Sequence, residues 1–93
     1  LEVAADVRSA LANLRAAQES LMLQRKNAEY VKRNRDLVEK GYIAGQESLV
    51  RLTQAERDYT AAQVRLTTAL VALRSAWHDL RTATGESLAA AAP

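Results

Sequence analysis

His78 is the sole histidine, and it stands directly before Asp79. A catalytic triad or a metal site would need further partners converging on that pair, and no pattern elsewhere in the chain supplies them. His78 therefore reads as a structural or solvated residue. Cysteine is absent, which removes disulfides and thiolate metal sites. Carboxylates spaced for acid–base work are also missing. No cofactor is expected, and the chain reads as a non-enzyme. The glycines Gly41 and Gly45 do not follow a strand, so they do not form a phosphate loop. Tyr30, Tyr42 and Tyr59 are too dispersed for a base-stacking platform. Net charge is +2 with acids and bases interspersed, which gives no argument for nucleic acid. The stretch Arg25 to Lys40 offers i,i+4 pairs: Arg25 with Glu29, Glu29 with Arg33, Lys32 with Asp36, and Asp36 with Lys40. It reads as a solvated face, each pair contributing a few tenths of a kcal/mol. Trp77 reads as a packing residue.

The elements that carry these residues are long helices. Nearly half of the 93 residues are apolar, many of them alanine, with 3 Gly and 1 Pro. That composition suits helices and no sheet. No apolar run approaches the roughly 20 residues of a membrane helix. The chain opens mid-pattern at Leu1-Glu2-Val3, as a piece cut from a larger protein would.

From Val3 to Lys40 there is neither Gly nor Pro. Apolar or small residues recur at steps of three and four: Val3, Val7, Ala10, Leu14, Ala17, Leu21, Ala28, Val31 and Val38. Gln24 and Arg35 interrupt this stripe. A second row runs Ala16, Leu23, Tyr30, Leu37. Two apolar rows on one helix predict contact with more than one neighbour. The second helix is more regular. Leu52, Tyr59, Leu66, Leu73 and Leu80 repeat every seven residues, beside Ala55, Ala62, Ala69, Ala76 and Ala83. A bulky row beside an alanine row predicts close helix approach. Ala55, Ala62, Ala69, Ala76, Leu52, Leu66 and Leu73 are thus the expected helix-packing set.

Between the helices lies Lys40-Gly41-Tyr42-Ile43-Ala44-Gly45. Gly41 is placed to cap the first helix in the left-handed conformation, and Gly45 frees the backbone before the second. The fold is predicted to be all-α: a long antiparallel two-helix hairpin with coiled-coil-like packing. Residues 1–40 form the first helix, 41–47 the tip, 48–84 the second helix, and 85–93 a frayed tail after Gly85. Tyr-Ile-Ala is unusually apolar for a solvent-facing turn. Either it folds over the helix ends or it docks a partner. Each helix has more apolar surface than one neighbour can cover, so the hairpin is expected to pack on other copies or on other parts of its own chain.

The segment Gly41-Tyr42-Ile43-Ala44-Gly45-Gln46-Glu47-Ser48-Leu49-Val50, the alanine heptads, and the ending Leu80-Arg81-Thr82-Ala83-Thr84-Gly85 resemble TolC-like outer membrane efflux proteins. Val7-Arg8-Ser9-Ala10-Leu11-Ala12-Asn13-Leu14 also looks like that family's incoming helix. The resemblance covers about residues 3–86. It implies a periplasmic hairpin from the α-barrel of a trimeric outer membrane channel for efflux or type I secretion. Outer-membrane β-strands lie elsewhere in such proteins, and a periplasmic adaptor links the channel to an inner-membrane pump. The implied location is the periplasm and outer membrane of a Gram-negative bacterium. The docking tip would comprise Tyr42, Ile43, Ala44, Gly45, Gln46 and Ser48. Ala44 stands where the family has valine. The matching gate region is Tyr42, Glu47, Arg51 and Gln54. Only Tyr42 retains the family's residue there, so the gating electrostatics do not carry over.

Two other readings compete. A periplasmic adaptor also contains a helical hairpin, with Arg, then Leu four later, then Ser seven after that at its tip. Arg33 and Leu37 fit, but Ala44 occupies the serine position. A generic coiled-coil scaffold would favour a polar turn.

Overall fold

The structure is a computed structural model. It describes the backbone of residues 2–91 and the side chains of residues 3–85. Two helices account for nearly all of it: α1, Glu2–Ile43, and α2, Leu49–Ala91. Among the described residues there is no strand. The all-α helical hairpin is therefore the observed fold. Both helices are rich in Ala, Leu, Arg and Glu, which lose little freedom in a helix. Helices of 42 and 43 residues nevertheless depend on packing of one face as well as on propensity.

The chain divides into two compact units. A terminal unit contains Leu1–Leu21 and Ala69–Pro93, and a turn unit contains Met22–Thr68. In the terminal unit Ala10, Leu14 and Leu21 of α1 are buried with Ala69 and Ala76 of α2. In the turn unit Ala28 and Val38 of α1 are buried with Leu52, Ala55 and Ala62 of α2. Val38, Leu52 and Ala55 form one contiguous cluster. Six of these ten residues are alanine, so the helix axes approach closely while little hydrocarbon is covered. Leu66 and Leu73 are half-buried at the margin of the alanine row.

The first-helix stripe continues through both of its apparent interruptions. Gln24 and Arg35 are half-buried like their apolar neighbours. The Arg35 guanidinium lies over the Tyr59 ring, 4.5 Å from its centroid. The aromatic face thus receives the charge while the arginine stem fills the seam. Tyr59 Oη accepts a hydrogen bond from Gln63 Nε2 at 2.9 Å.

Several boundaries and contacts differ from the sequence reading. The first helix continues through Gly41 and ends at Ile43, and the second begins at Leu49. Gly85 does not stop α2, which runs on to Ala91. A helical glycine costs about 1 kcal/mol relative to alanine. The alanine-rich sequence around Gly85 favours helix strongly enough to outweigh that. The tail expected to fray from residue 85 is helical to Ala91, and residues 92–93 lie outside the described part. Of the four i,i+4 ion pairs, Glu29–Arg33 is present at 3.8 Å. Asp36 instead bonds its neighbour Arg35 at 2.8 Å, drawn there because Arg35 is anchored in the seam. This hydrogen bond, with the nearby positive charge, holds the Asp36 carboxyl below the ordinary aspartate value.

Candidate functional site at the hairpin turn

The turn is short because two local motifs meet in it. The last turn of α1 closes by a Schellman arrangement. The Gly45 N–H donates to the Tyr42 carbonyl at 3.0 Å, and the Gln46 N–H donates to the Gly41 carbonyl at 2.7 Å. This motif requires a left-handed residue at its hinge. Gly45 supplies it with φ 78, while no other described residue has a positive φ. The left-handed cap expected at Gly41 is therefore at Gly45. Both glycines are explained, but by different physics. A Cβ on Gly41 would lie 2.6 Å from Glu47 Cγ, so Gly41 clears space for the returning chain. Glu47 also donates its backbone N–H to the Gly41 carbonyl at 3.1 Å, making that oxygen a double acceptor.

The second motif starts α2. Ser48 is the N-cap: the Arg51 N–H donates to Ser48 Oγ at 3.2 Å, and the Leu52 N–H donates to the Ser48 carbonyl at 3.1 Å. Ser48→Ala should lower stability by about 1 kcal/mol, read as a lower midpoint in urea unfolding. An unchanged midpoint would mean that the cap is redundant. Serine directly before an apolar-periodic run is the sequence signal for this role.

The four gate-region positions are only partly gathered. Glu47 Oε2 lies 3.4 Å from Arg51 Nε, an ion pair local to the start of α2. Gln54 lies three residues further along α2. Together with Asn34, Val38, Arg51, Ala55 and Asp58 it lines a small polar depression of about 130 Å³. Tyr42 sits in the last turn of α1 and is partly exposed.

Apolar side chains flank this braced turn on both helices. Ile43 is 77% exposed at the end of α1, as is Val50 in the first turn of α2, and Leu49 is exposed beside it. Ile43 therefore does not fold over the helix ends. Leu49 and Val50 continue into a shallow depression of about 540 Å³, completed by Thr53, Gln54, Arg57 and Asp58. Ala44, Gln46 and Ser48 are exposed as well. Sequence reasoning left Val50, Thr53, Arg57 and Asp58 out of the candidate site. Their shared surface follows from the start of α2 at Leu49, which the sequence alone placed one residue early.

The remaining candidates lie elsewhere. His78 and Asp79 are exposed in the terminal unit. Among the described residues no group of His, Cys, Asp and Glu is gathered to hold a metal ion. Trp77 is 53% exposed and so packs only in part. Within the described residues no helix is long and apolar enough to cross a membrane. Compared with known proteins, residues 1–86 match the family described as outer membrane efflux protein. No curated protein and no solved structure matches the chain.

Proposed function

Because the chain belongs to the outer membrane efflux protein family, we propose that this hairpin is a periplasmic segment of a trimeric channel's α-barrel and that its turn docks a periplasmic adaptor. Nothing here is catalytic; the role is to build a conduit and to present a contact surface. The observation that carries the docking reading is the pairing of a braced turn with uncovered apolar side chains. Gly45, Ser48 and the doubly bonded Gly41 carbonyl hold the backbone in one conformation. Ile43, Leu49 and Val50 are nevertheless left in solvent. A preorganised apolar surface loses little conformational entropy when it is covered. Tyr42, Ala44, Gly45, Gln46 and Ser48 complete the proposed contact, and Leu49 and Val50 extend it.

Glu47, just before α2, and Arg51, in its first turn, neutralise one another, so we assign them to bracing the tip, not to a gate. The family match favours this channel reading over the adaptor hairpin.

The decisive substitution is Ile43→Asp in the intact channel. Ile43 is too exposed for the fold to depend on it, so helicity by circular dichroism should be unchanged. Export should fall sharply, and cross-linking of the turn to the adaptor should be lost. Normal export with an aspartate at this position would end the docking proposal.

A further inference from the structure

The face of α1 that packs in the turn unit is not its most apolar one. Along the seam stand Gln24, Ala28, Val31, Arg35 and Val38, each buried or half-buried. Leu23, Tyr30 and Leu37 precede Gln24, Val31 and Val38 by one position, and they are 64%, 73% and 68% exposed. One residue turns an α-helix by about 100°. Rotating α1 by that angle would set Leu23, Asn27, Tyr30, Asn34 and Leu37 against α2. Each set contains two polar residues, but the rotated one exchanges an alanine and two valines for two leucines and a tyrosine. Apolar burial stabilises in proportion to area, so hydrocarbon alone favours the face that the structure leaves in solvent.

Two features oppose that rotation. Ala28 is small and buried, which lets α1 lie close to the alanine row of α2. Arg35 opposes it by chemistry. Its side chain is 28% exposed, and its guanidinium lies over the Tyr59 ring on α2, 4.5 Å from the centroid. Asp36 Oδ1 accepts from Arg35 Nη2 at 2.8 Å and from Nε at 3.2 Å, so the cation is held at its edge as well. A half-buried cation is costly unless its charge is received, and the negative face of an aromatic ring receives it. Among the described residues no salt bridge and no side-chain hydrogen bond joins α1 to α2. The stacked pair is thus the polar link between their side chains. Turning α1 would carry the guanidinium off the ring and bring uncharged Asn34 to its place.

We propose that Arg35 and Tyr59 form a rotational lock: their stacking fixes which face of α1 packs on α2 and so keeps the Leu23–Tyr30–Leu37 row on the outside. Arg35 is a positioning residue here. It trades hydrocarbon burial for a single orientation, as a lone polar residue in a coiled-coil seam does. The lock is independent of docking at the tip, because neither Ile43 nor Val50 takes part in it.

The test traps the face by disulfide formation within one chain of the intact protein, and this chain has no cysteine of its own. V38C with A55C reports the observed face, since Val38 and Ala55 line the same small depression. L37C with A55C reports the rotated face. With Arg35 and Tyr59 in place, mild oxidation should close the first pair and leave the second open. R35A and Y59L should each make the second pair the main product, although Ala28 is unchanged in both. Both variants should also keep their helicity, because the rotated face buries more hydrocarbon. Y59F retains the ring and loses the hydroxyl that accepts from Gln63, so it should keep the observed pattern. A second pair that stays open in both R35A and Y59L would overturn the proposal, because packing around Ala28 would then suffice to hold the face. Closure of the second pair with Arg35 and Tyr59 present would also overturn it. So would its closure in Y59F, which would assign the effect to the hydroxyl and not to the ring, and so would loss of helicity in both R35A and Y59L.

Discussion

Ala62→Leu should destabilise the hairpin by about 1–3 kcal/mol, while Ala61→Leu one position away should change little. Ala62 has a relative accessibility of 0%, the lowest of the buried apolar residues. It sits in the alanine row that lets α2 lie close to α1 in the turn unit. Three added carbons there have no void to enter, so either the helices separate or neighbouring side chains leave their rotamers. The same substitution at exposed Ala61 adds a side chain to solvent. For a chain of this size each kcal/mol shifts the melting temperature by roughly 4–8 °C. Thermal denaturation followed at the helical circular dichroism band measures the difference directly. Equal melting temperatures for the two variants would mean that the alanine row is not the close-contact line. Ala69→Leu, in the terminal unit, should follow Ala62→Leu in direction.

The second large effect belongs to Gly45. Its φ of 78 places it in the left-handed region, where a side chain on an L-residue crowds the following carbonyl. An ordinary L-residue loses about 1–2 kcal/mol there, and valine more because it is β-branched. No atom lies within 4 Å of the position its Cβ would take, so the cost comes from the backbone and not from a neighbour. That separates two explanations cleanly. Gly45→Val should lower stability, whereas D-alanine at the same position, introduced by chemical synthesis, should leave it unchanged or raise it. A D-residue favours this conformation and also restricts the unfolded chain. Loss of stability with both residues would mean that space, not chirality, makes glycine necessary.

Much of this fold is written into spacing. The seven-residue repeats of Ala55, Ala62, Ala69 and Ala76 mark the buried line, and the α1 stripe from Val3 to Val38 marks its counterpart. Those rows are legible because helical periodicity and burial share a physical cause. Arg35 was not legible as a seam residue, because its fit depends on Tyr59, which is distant in sequence. The two glycines show a finer limit. Either Gly41 or Gly45 satisfies the local pattern for a left-handed cap. The choice depends on where Gln46 and Glu47 return their amides, a contact that exists only once the chain has turned. Gly85 was misleading for a related reason: a stop signal is relative to the helix-forming strength around it. The apolar turn was legible as unusual, but its exposure was not. Only the structure shows Ile43 standing clear of both helix ends.

The alanine-dominated seam has a thermal consequence. The heat capacity of unfolding comes chiefly from hydrocarbon newly exposed to water, at about 0.45 cal/mol/K per Å². Methyl groups offer little of it, so a single hairpin has a shallow stability curve with a low maximum. Larger side chains such as Leu23, Tyr30, Leu37 and Val64 remain outside the seam. Association that covers them adds both stability and curvature. If copies of this chain cover one another in that way, its unfolding temperature becomes a function of its concentration.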